Sequence, residues 1–294
     1  MKSLEQTKID GFKNQFGGEV ILPTDPSYNE VRQIWNAMID RKPGIIARCT
    51  STDDVVEAVN FARDNGLLVS VRGGGHNIAG NAMCDDGIVI DLSLLKQVTI
   101  DPDTQRATVE PQSSHSRATV EPGCTLGDVD AATQQHALAL PVGINSTTGI
   151  TGLTLGGGFG WLTRKYGMTI DSLLSANVVT ADGRQLRASA TENPDLFWGL
   201  RGGGGNFGIV TQFEFQLHPV GPDVLSGLMV FPFEQAKPII TQFATFTETA
   251  PDELSVWMVS RQAPPLLFCP KRYTVKRWWF WLSVMSVTRL KVKS

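Results

Sequence analysis

The chain lacks the features of a membrane, metal or nucleic-acid protein. No apolar run is long enough to span a bilayer, and the opening MKSLEQTKIDGF has no stretch of signal-peptide length, so the expectation is a cytoplasmic protein without a membrane span. Its four cysteines, Cys49, Cys84, Cys124 and Cys269, are widely spaced and form no C-x-x-C pair, which argues against a disulfide framework and a metal site. Basic excess is also missing: the formal net charge is -3, and nucleic acid is not the expected partner. No Gly-Lys-Ser or Gly-Lys-Thr follows any glycine run, which excludes a Walker-type phosphate loop. With 294 residues, 41% of them hydrophobic and 19% charged, the chain has material for one large or two modest domains.

What the chain does have is glycine in three concentrated runs. Arg72, Gly73, Gly74, Gly75, His76 and Asn77 follow a strand-like run (Leu68, Val69, Ser70, Val71); Gly149 to Gly160 reads GITGLTLGGGFG; and Arg201 to Gly208 reads RGGGGNFG. Glycine has no Cβ, so such loops reach positive φ and turn successive N–H groups toward one point, a way of gripping phosphate oxygens without lysines. A diphosphate ligand is the expected guest. The third run formally satisfies G-x-G-x-x-G, the fingerprint of nicotinamide-type dinucleotide folds, which needs a strand before it and a helix after it. Here the order is reversed. Asn193, Pro194 and Asp195 open a short helix through Leu200, and the glycines lead into residues 209–217, whose period-two alternation predicts a strand.

Elsewhere the pattern predicts helices over residues 26–38, 53–65 (capped by aspartate, stopped at Gly66), 126–139 and 233–246. Strands are predicted over 45–48, 68–72, 88–92, 224–230 and 254–259, with a hairpin of 176–180 and 185–188 around Asp182 and Gly183.

The segments VSVRGGGHNIAGNAMCDDGIVIDLS (69–93), PVGINSTTGITGLTLGGGFGWLTRKYGMTIDSLLSANVVTADG (141–183) and NPDLFWGLRGGGGNFGIVTQFEFQLHPV (193–220) closely resemble the vanillyl-alcohol oxidase / p-cresol methylhydroxylase (PCMH-type) superfamily of FAD enzymes, and within it the berberine-bridge-enzyme-like oxidases. With flanking sequence the resemblance covers roughly residues 30 to 265. It implies an α+β fold: a PCMH-type FAD-binding domain of two α/β subdomains, then an incomplete α/β substrate domain. The corresponding division is an N-terminal segment (1–38), the FAD-binding domain (39–220), the start of the substrate domain (221–270) and a tail (271–294).

Site residues follow from the same resemblance. His76 matches the histidine that relatives link covalently to the flavin 8α-methyl, and Arg72, Gly73, Gly74, Gly75, Asn77 and Ile78 match the loop around the FAD pyrophosphate. Many relatives make a second bond through a cysteine in G-x-C-P; here Gly143, Ile144, Asn145 and Ser146 occupy that place, so Asn145 stands where the thiol would be. The chain is therefore similar to the singly attached subgroup that includes 6-hydroxy-D-nicotine oxidase. Thr147, Thr148, Gly149, Gly152, Leu153, Gly157 and Gly160 match the second flavin-contacting segment, and Val210 falls where the adenine end is usually held. His115, His136 and His218 carry no such match and read as ordinary structural histidines.

Two stretches depart from the family pattern. The hexapeptide RATVEP at 106–111 recurs at 117–122; either copy could pair with Val98–Asp101, so the strand register is open. Beyond about Pro270 the pattern is abandoned, and residues 271–294 hold seven Lys/Arg and no acid around Trp278, Trp279, Phe280 and Trp281. An altered frame or truncation is the favoured reading of that ending. Relatives continue past this point, so an incomplete sheet with an exposed edge and apolar face is expected.

The implied function is an FAD-dependent oxidoreductase. It would pass hydride from an alcohol or amine carbon of a small molecule to His76-linked FAD, with dioxygen as the electron acceptor. The alternative is a non-catalytic FAD-binding remnant. No residue stands out as the catalytic base; Tyr166 is nearest the second glycine segment, but packing beneath the ring is its favoured role. Substrate identity and oligomeric state are not legible.

Overall fold

The computed structural model describes residues 5–102, 116–262 and 278–286. The chain divides into two compact units, residues 1–160 with 167–219, and residues 161–166 with 220–294.

In the first unit, short runs rich in apolar residues become strands, of which the two central ones are almost wholly buried. After α1 (Gln6–Gln15), β1 (Glu19–Ile21) and α2 (Tyr28–Val31) come β2 (Ile45–Arg48), α3 (Thr52–Asp64), β3 (Val69–Arg72) and β4 (Ile88–Asp91). They form a sheet of order β1-β2-β4-β3. β2 and β3 run parallel to β4, which explains why 45–47 and 88–90 are continuously apolar rather than alternating, each run ending in a charged residue. Phe12 and Phe16 near α1 and Val55, Ala58 and Ala62 of α3 pack with Ile45, Ile88 and Ile90 of this sheet. The cap of α3 is Ser51, not the aspartate expected from the sequence: Ser51 accepts from the Asp54 N–H while Asp54 accepts from the Ser51 N–H, a reciprocal box. Burial pushes the Asp54 carboxyl up, but hydrogen bonds from Thr50, Ser51 and Gly17 more than offset it and hold it below the usual carboxylate range.

The second sheet of this unit has the order β5-β6-β10-β8-β9. Its strands are β5 (Val98–Asp101), β6 (Arg117–Val120), then, after α4 (Leu126–Thr133), β7 (Leu138–Ala139), α5 (Ile150–Leu155) and α6 (Thr163–Tyr166), β8 (Leu173–Val179), β9 (Gln185–Ser189) and, after α7 (Pro194–Leu200), β10 (Ile209–Gln216). β10 alternates as expected: Phe213 and Phe215 are 0% exposed, and each such ring removed from water is worth roughly 1.5–3 kcal/mol. On its other face Glu214 accepts from Ser175 Oγ (2.7 Å), Arg117 Nη1 (2.7 Å) and Arg187 Nη2 (3.0 Å). The open register is settled for one copy of the repeat. Arg117–Val120 lies between β5 and β10, with Val98 opposite Val120. The first copy, 106–111, lies outside the described residues, as does His115.

Two helix expectations need correction. Of residues 26–38 only Tyr28–Val31 is helical, because the Trp35 N–H bonds to the Gly75 carbonyl (3.1 Å) and the Met38 N–H to the Asn36 side chain (3.2 Å) instead of continuing the ladder. The helix at 126–139 stops at Thr133, passes through a 3₁₀ turn at Gln134–His136 and reverses at Ala137 (φ 53°). Leu138–Ala139 then pairs with β11 (His218–Pro219).

In the second unit, β12 (Leu225–Pro232), α8 (Ala236–Thr247), β13 (Leu254–Gln262) and β14 (Trp278–Ser286) follow one another. The sheet order is β12-β14-β13, antiparallel throughout. Residues 278–286, inside the stretch read from sequence as off-pattern, thus form the central strand. No helix among the described residues is long and apolar enough to cross a membrane.

Candidate functional site

β3 ends at Arg72 and releases the chain into the first glycine run. Arg72 is buried and already engaged: its guanidinium donates to the Asp91 carboxylate at the end of β4, to the Val31 carbonyl and to the Gln33 carbonyl. Asp91, wholly buried, also lies 3.4 Å from Arg48 Nε and accepts from the Ser93 N–H (3.0 Å). This arginine therefore braces the start of the loop from behind.

The loop then meets the second glycine run backbone to backbone. A Cβ placed on Gly74 would lie 2.4 Å from Gly149 Cα, and one on Gly149 would lie 2.5 Å from Gly74 N, so neither position tolerates a side chain without separating the loops. The second run is pinned in turn. Thr151 Oγ1 donates to the Pro122 carbonyl (2.7 Å), the Leu126 N–H to the Thr148 carbonyl (2.9 Å), and the Ile150 N–H to the Cys124 carbonyl (2.9 Å). The 3₁₀ turn of the third run, Gly204–Phe207, lies beside α5. Its surroundings have the order read from sequence, helix α7 before and strand β10 after, with no helix following the glycines to receive a pyrophosphate.

His76, just past the first run, joins the two loops. Its Nε2 is 2.9 Å from Thr147 Oγ1, and its ring stacks on Trp35 with centroids 5.0 Å apart and planes at 23°. Thr147 is held by Asn145, whose Oδ1 accepts from both the Thr147 N–H (3.1 Å) and the Thr147 hydroxyl (2.9 Å). Burial lowers the His76 pKa from its ordinary value, which favours the neutral ring at neutral pH.

A cavity of about 310 Å³ opens beside the first loop, walled by Gly73, Gly74 and Gly75 together with Trp35, Lys96 and Thr125. It suits part of an extended, anionic cofactor: three residues without side chains present backbone directly, and the Lys96 ammonium supplies positive charge. Trp35 and Lys96 were not anticipated. Trp35 reaches the site only through the tertiary bond to Gly75, and nothing near residue 35 in the sequence signals it.

The remaining expected residues are more scattered. Asn77 Oδ1 is occupied by the Asn81 N–H (3.0 Å), and the exposed Ile78 offers its carbonyl to Asn36 (2.8 Å). Gly152 has open space where a Cβ would be, and Gly157 takes φ 104°. Gly160 abuts the Val142 carbonyl, and Leu153 fills the space against Gly143 and Gly158. Val210 is buried in β10 opposite Val178. Tyr166 belongs to the second unit, with the Lys165 ammonium 5.3 Å from its ring centre. His218 bonds Ser172 Oγ (3.2 Å), and its pKa is lowered by burial.

Comparison with known proteins shows the family of the chain. A family model described as "FAD binding domain" matches residues 43–189. (R)-6-hydroxynicotine oxidase of Paenarthrobacter nicotinovorans is 41% identical over 214 residues, which are 73% of this chain and 44% of that protein. The crystal structure of 6-hydroxy-D-nicotine oxidase from Arthrobacter nicotinovorans superposes with a TM-score of 0.81 at 33% identity, covering 94% of this chain and 56% of that one. The berberine-bridge-like protein 1 of Physcomitrella patens gives 0.80 at 25% identity, covering 96% and 56%. The chain thus spans about half the length of the relatives it matches.

Proposed function

Since the chain belongs to the FAD binding domain family of PCMH-type flavoproteins, we propose that it is an FAD-linked oxidoreductase whose cofactor is joined covalently to His76. The observation that carries this reading is the contact of the two glycine loops at Gly74 and Gly149, with the imidazole fixed beside it. When bound, FAD supplies a two-electron acceptor that can take hydride from a substrate carbon.

The chain's own residues do the rest. The backbone of Gly73, Gly74 and Gly75 receives the diphosphate, and Lys96 balances its charge. Arg72 keeps the loop on β3 through Asp91. Thr148, Gly149, Gly152 and Leu153 would hold the cofactor from the second loop, with Gly157 and Gly160 shaping the turn beyond it, and Val210 would back the adenine end from within β10. Trp35 and Thr147 hold the His76 ring in one plane, which would present a neutral nitrogen to the flavin methyl group. The substrate is a small alcohol or amine and the acceptor dioxygen, by analogy with the oxidases named above.

Expression with FAD followed by a denaturing gel tests the attachment. Flavin fluorescence that stays with the polypeptide, and is lost in His76→Ala, is the expected result; a wild-type band without fluorescence sinks the covalent reading. Peroxide release over a panel of sugars, alcohols and cyclic amines then tests turnover. Bound flavin with no peroxide from any of them leaves an FAD-binding protein without oxidase activity.

A further inference from the structure

The hydrogen bonds around His76 can be assigned donor by donor, and the assignment has a chemical consequence. The Thr147 backbone N–H can only donate, so the Asn145 side-chain atom 3.1 Å away must be the carbonyl oxygen; this fixes the amide orientation. The same oxygen lies 2.9 Å from Thr147 Oγ1 and has no hydrogen of its own, so the threonine hydroxyl donates to it. That spends the single hydroxyl hydrogen. Thr147 Oγ1 therefore faces His76 Nε2, 2.9 Å away, only as an acceptor, and Nε2 must carry the ring hydrogen. A neutral imidazole has one such hydrogen, which leaves the lone pair on Nδ1. Trp35 restricts the ring further by stacking at 5.0 Å, and the Trp35 backbone N–H is tied to the Gly75 carbonyl at 3.1 Å.

We propose that Asn145, acting through Thr147, locks His76 as the Nε2–H tautomer and so selects Nδ1 as the nitrogen that joins the flavin. The proposal rests on the attachment reading given above and makes Asn145 and Thr147 positioning residues for it. One C–H bond of the flavin methyl group and the imidazole N–H bond break, the Nδ1–C bond forms, and dioxygen takes two electrons and two protons as hydrogen peroxide. The lone pair on Nδ1 is the chain's contribution, and the Asn145–Thr147 pair sets where it sits. Without Asn145 the Thr147 hydroxyl is free to rotate and donate to Nε2, turning the ring hydrogen over to Nδ1 and blocking it, and without the hydroxyl Nε2–H loses its acceptor.

The test uses the full chain, labelled with ¹⁵N and produced under riboflavin depletion. Long-range ¹H–¹⁵N spectra at a pH where the ring is neutral are assigned by difference against His76→Ala. The wild type should show a protonated Nε2 and an unprotonated Nδ1. Asn145→Ala and Thr147→Val should shift the tautomer ratio toward Nδ1–H by about fivefold, the ratio expected for one neutral hydrogen bond, while Thr147→Ser retains the wild-type ratio. After FAD is added, the rate of covalent fluorescence should fall by a similar factor in the first two variants and recover in Thr147→Ser, with circular dichroism confirming that each is folded.

Predominant Nδ1–H in the wild type overturns the proposal, as does a ratio unchanged in Asn145→Ala. The two readings fail separately. An Nε2–H ring that never acquires flavin removes the attachment and leaves the tautomer assignment standing; covalent flavin on an Nδ1–H ring removes only the tautomer assignment.

Discussion

The two units use the same kind of strand to different ends. In the first, β10 places Phe213 and Phe215 in a core shared with Val120, Leu126, Ile150 and Leu173, and both rings are fully buried. In the second, β12 is equally apolar, yet Leu228 and Met229 are 41% and 47% exposed, and α8 buries none of its residues. Apolar content alone therefore does not locate stability; a second apolar layer does. The two glycine loops that meet at Gly74 and Gly149 are rooted in the first unit, where such a layer is in place.

The sharpest way to break the comparison is truncation inside each unit. Phe213→Ala should cost about 3–5 kcal/mol, enough to unfold the first unit in mild denaturant. Amide hydrogen exchange reads β10 and β12 separately, so the loss should appear as faster exchange in β10 and its neighbours. Protection of β10 equal to wild type would mean that the core is not where the burial places it.

Next in size is Gly74→Ala, where one methyl group would sit 2.4 Å from Gly149 Cα. Separating or straining the loops should cost roughly 1–3 kcal/mol, with covalent flavin yield falling more than stability does. Gly149→Ala probes the same contact from the other side. The double variant should be less damaging than the sum of the singles, because the contact can be lost only once. Strict additivity in a urea titration would show that the two loops do not press on each other.

Much of this was legible in advance, and the misses have physical causes. The strands at 45–48, 88–91 and 209–216 and the reversed order around the third glycine run follow from apolar patterning that the sheets reward directly. Helix 26–38 failed because Trp35 finds its hydrogen bond in Gly75, forty residues away in sequence, and local propensity cannot see that partner. Ser51 outranked the aspartates as the α3 cap because Asp54 one turn later completes the reciprocal pair. Residues 278–286 broke the family pattern but still have the aromatic and aliphatic composition of a strand, and the backbone uses them as one between β12 and β13. In the site, His76 and the glycines were readable as residue types. Trp35, Lys96 and the Asn145–Thr147–His76 chain of bonds were not, since each depends on segments that only folding brings together.

A smaller effect separates the capping box from the core. Asp54 has a folded pKa below its ordinary value of 3.8, so its contribution is fully present above that value and is lost as pH falls through the depressed folded one. Asp54→Asn should cost about 1–2 kcal/mol near neutral pH and progressively less as the solution is acidified, until the two unfolding curves converge below the folded pKa. Curves that stay parallel on acidification would show that the charge on Asp54 contributes nothing.

The smallest effect belongs to the second unit and tests the comparison from its weak side. Leu228 is a strand residue by type, but with 41% of its surface exposed it removes less from water than Phe213 or Phe215. Leu228→Thr introduces a β-branched side chain suited to the strand and replaces part of an apolar side chain with a hydroxyl, so stability should change by no more than about 1 kcal/mol. The same change should reduce self-association, because β12 is an edge strand among the described residues and its exposed apolar side chains favour burial against another chain. Sedimentation of the two chains at matched concentration reads this directly. A loss of several kcal/mol on that substitution would mean that Leu228 is covered in solution, and the contrast between the two units would then fall.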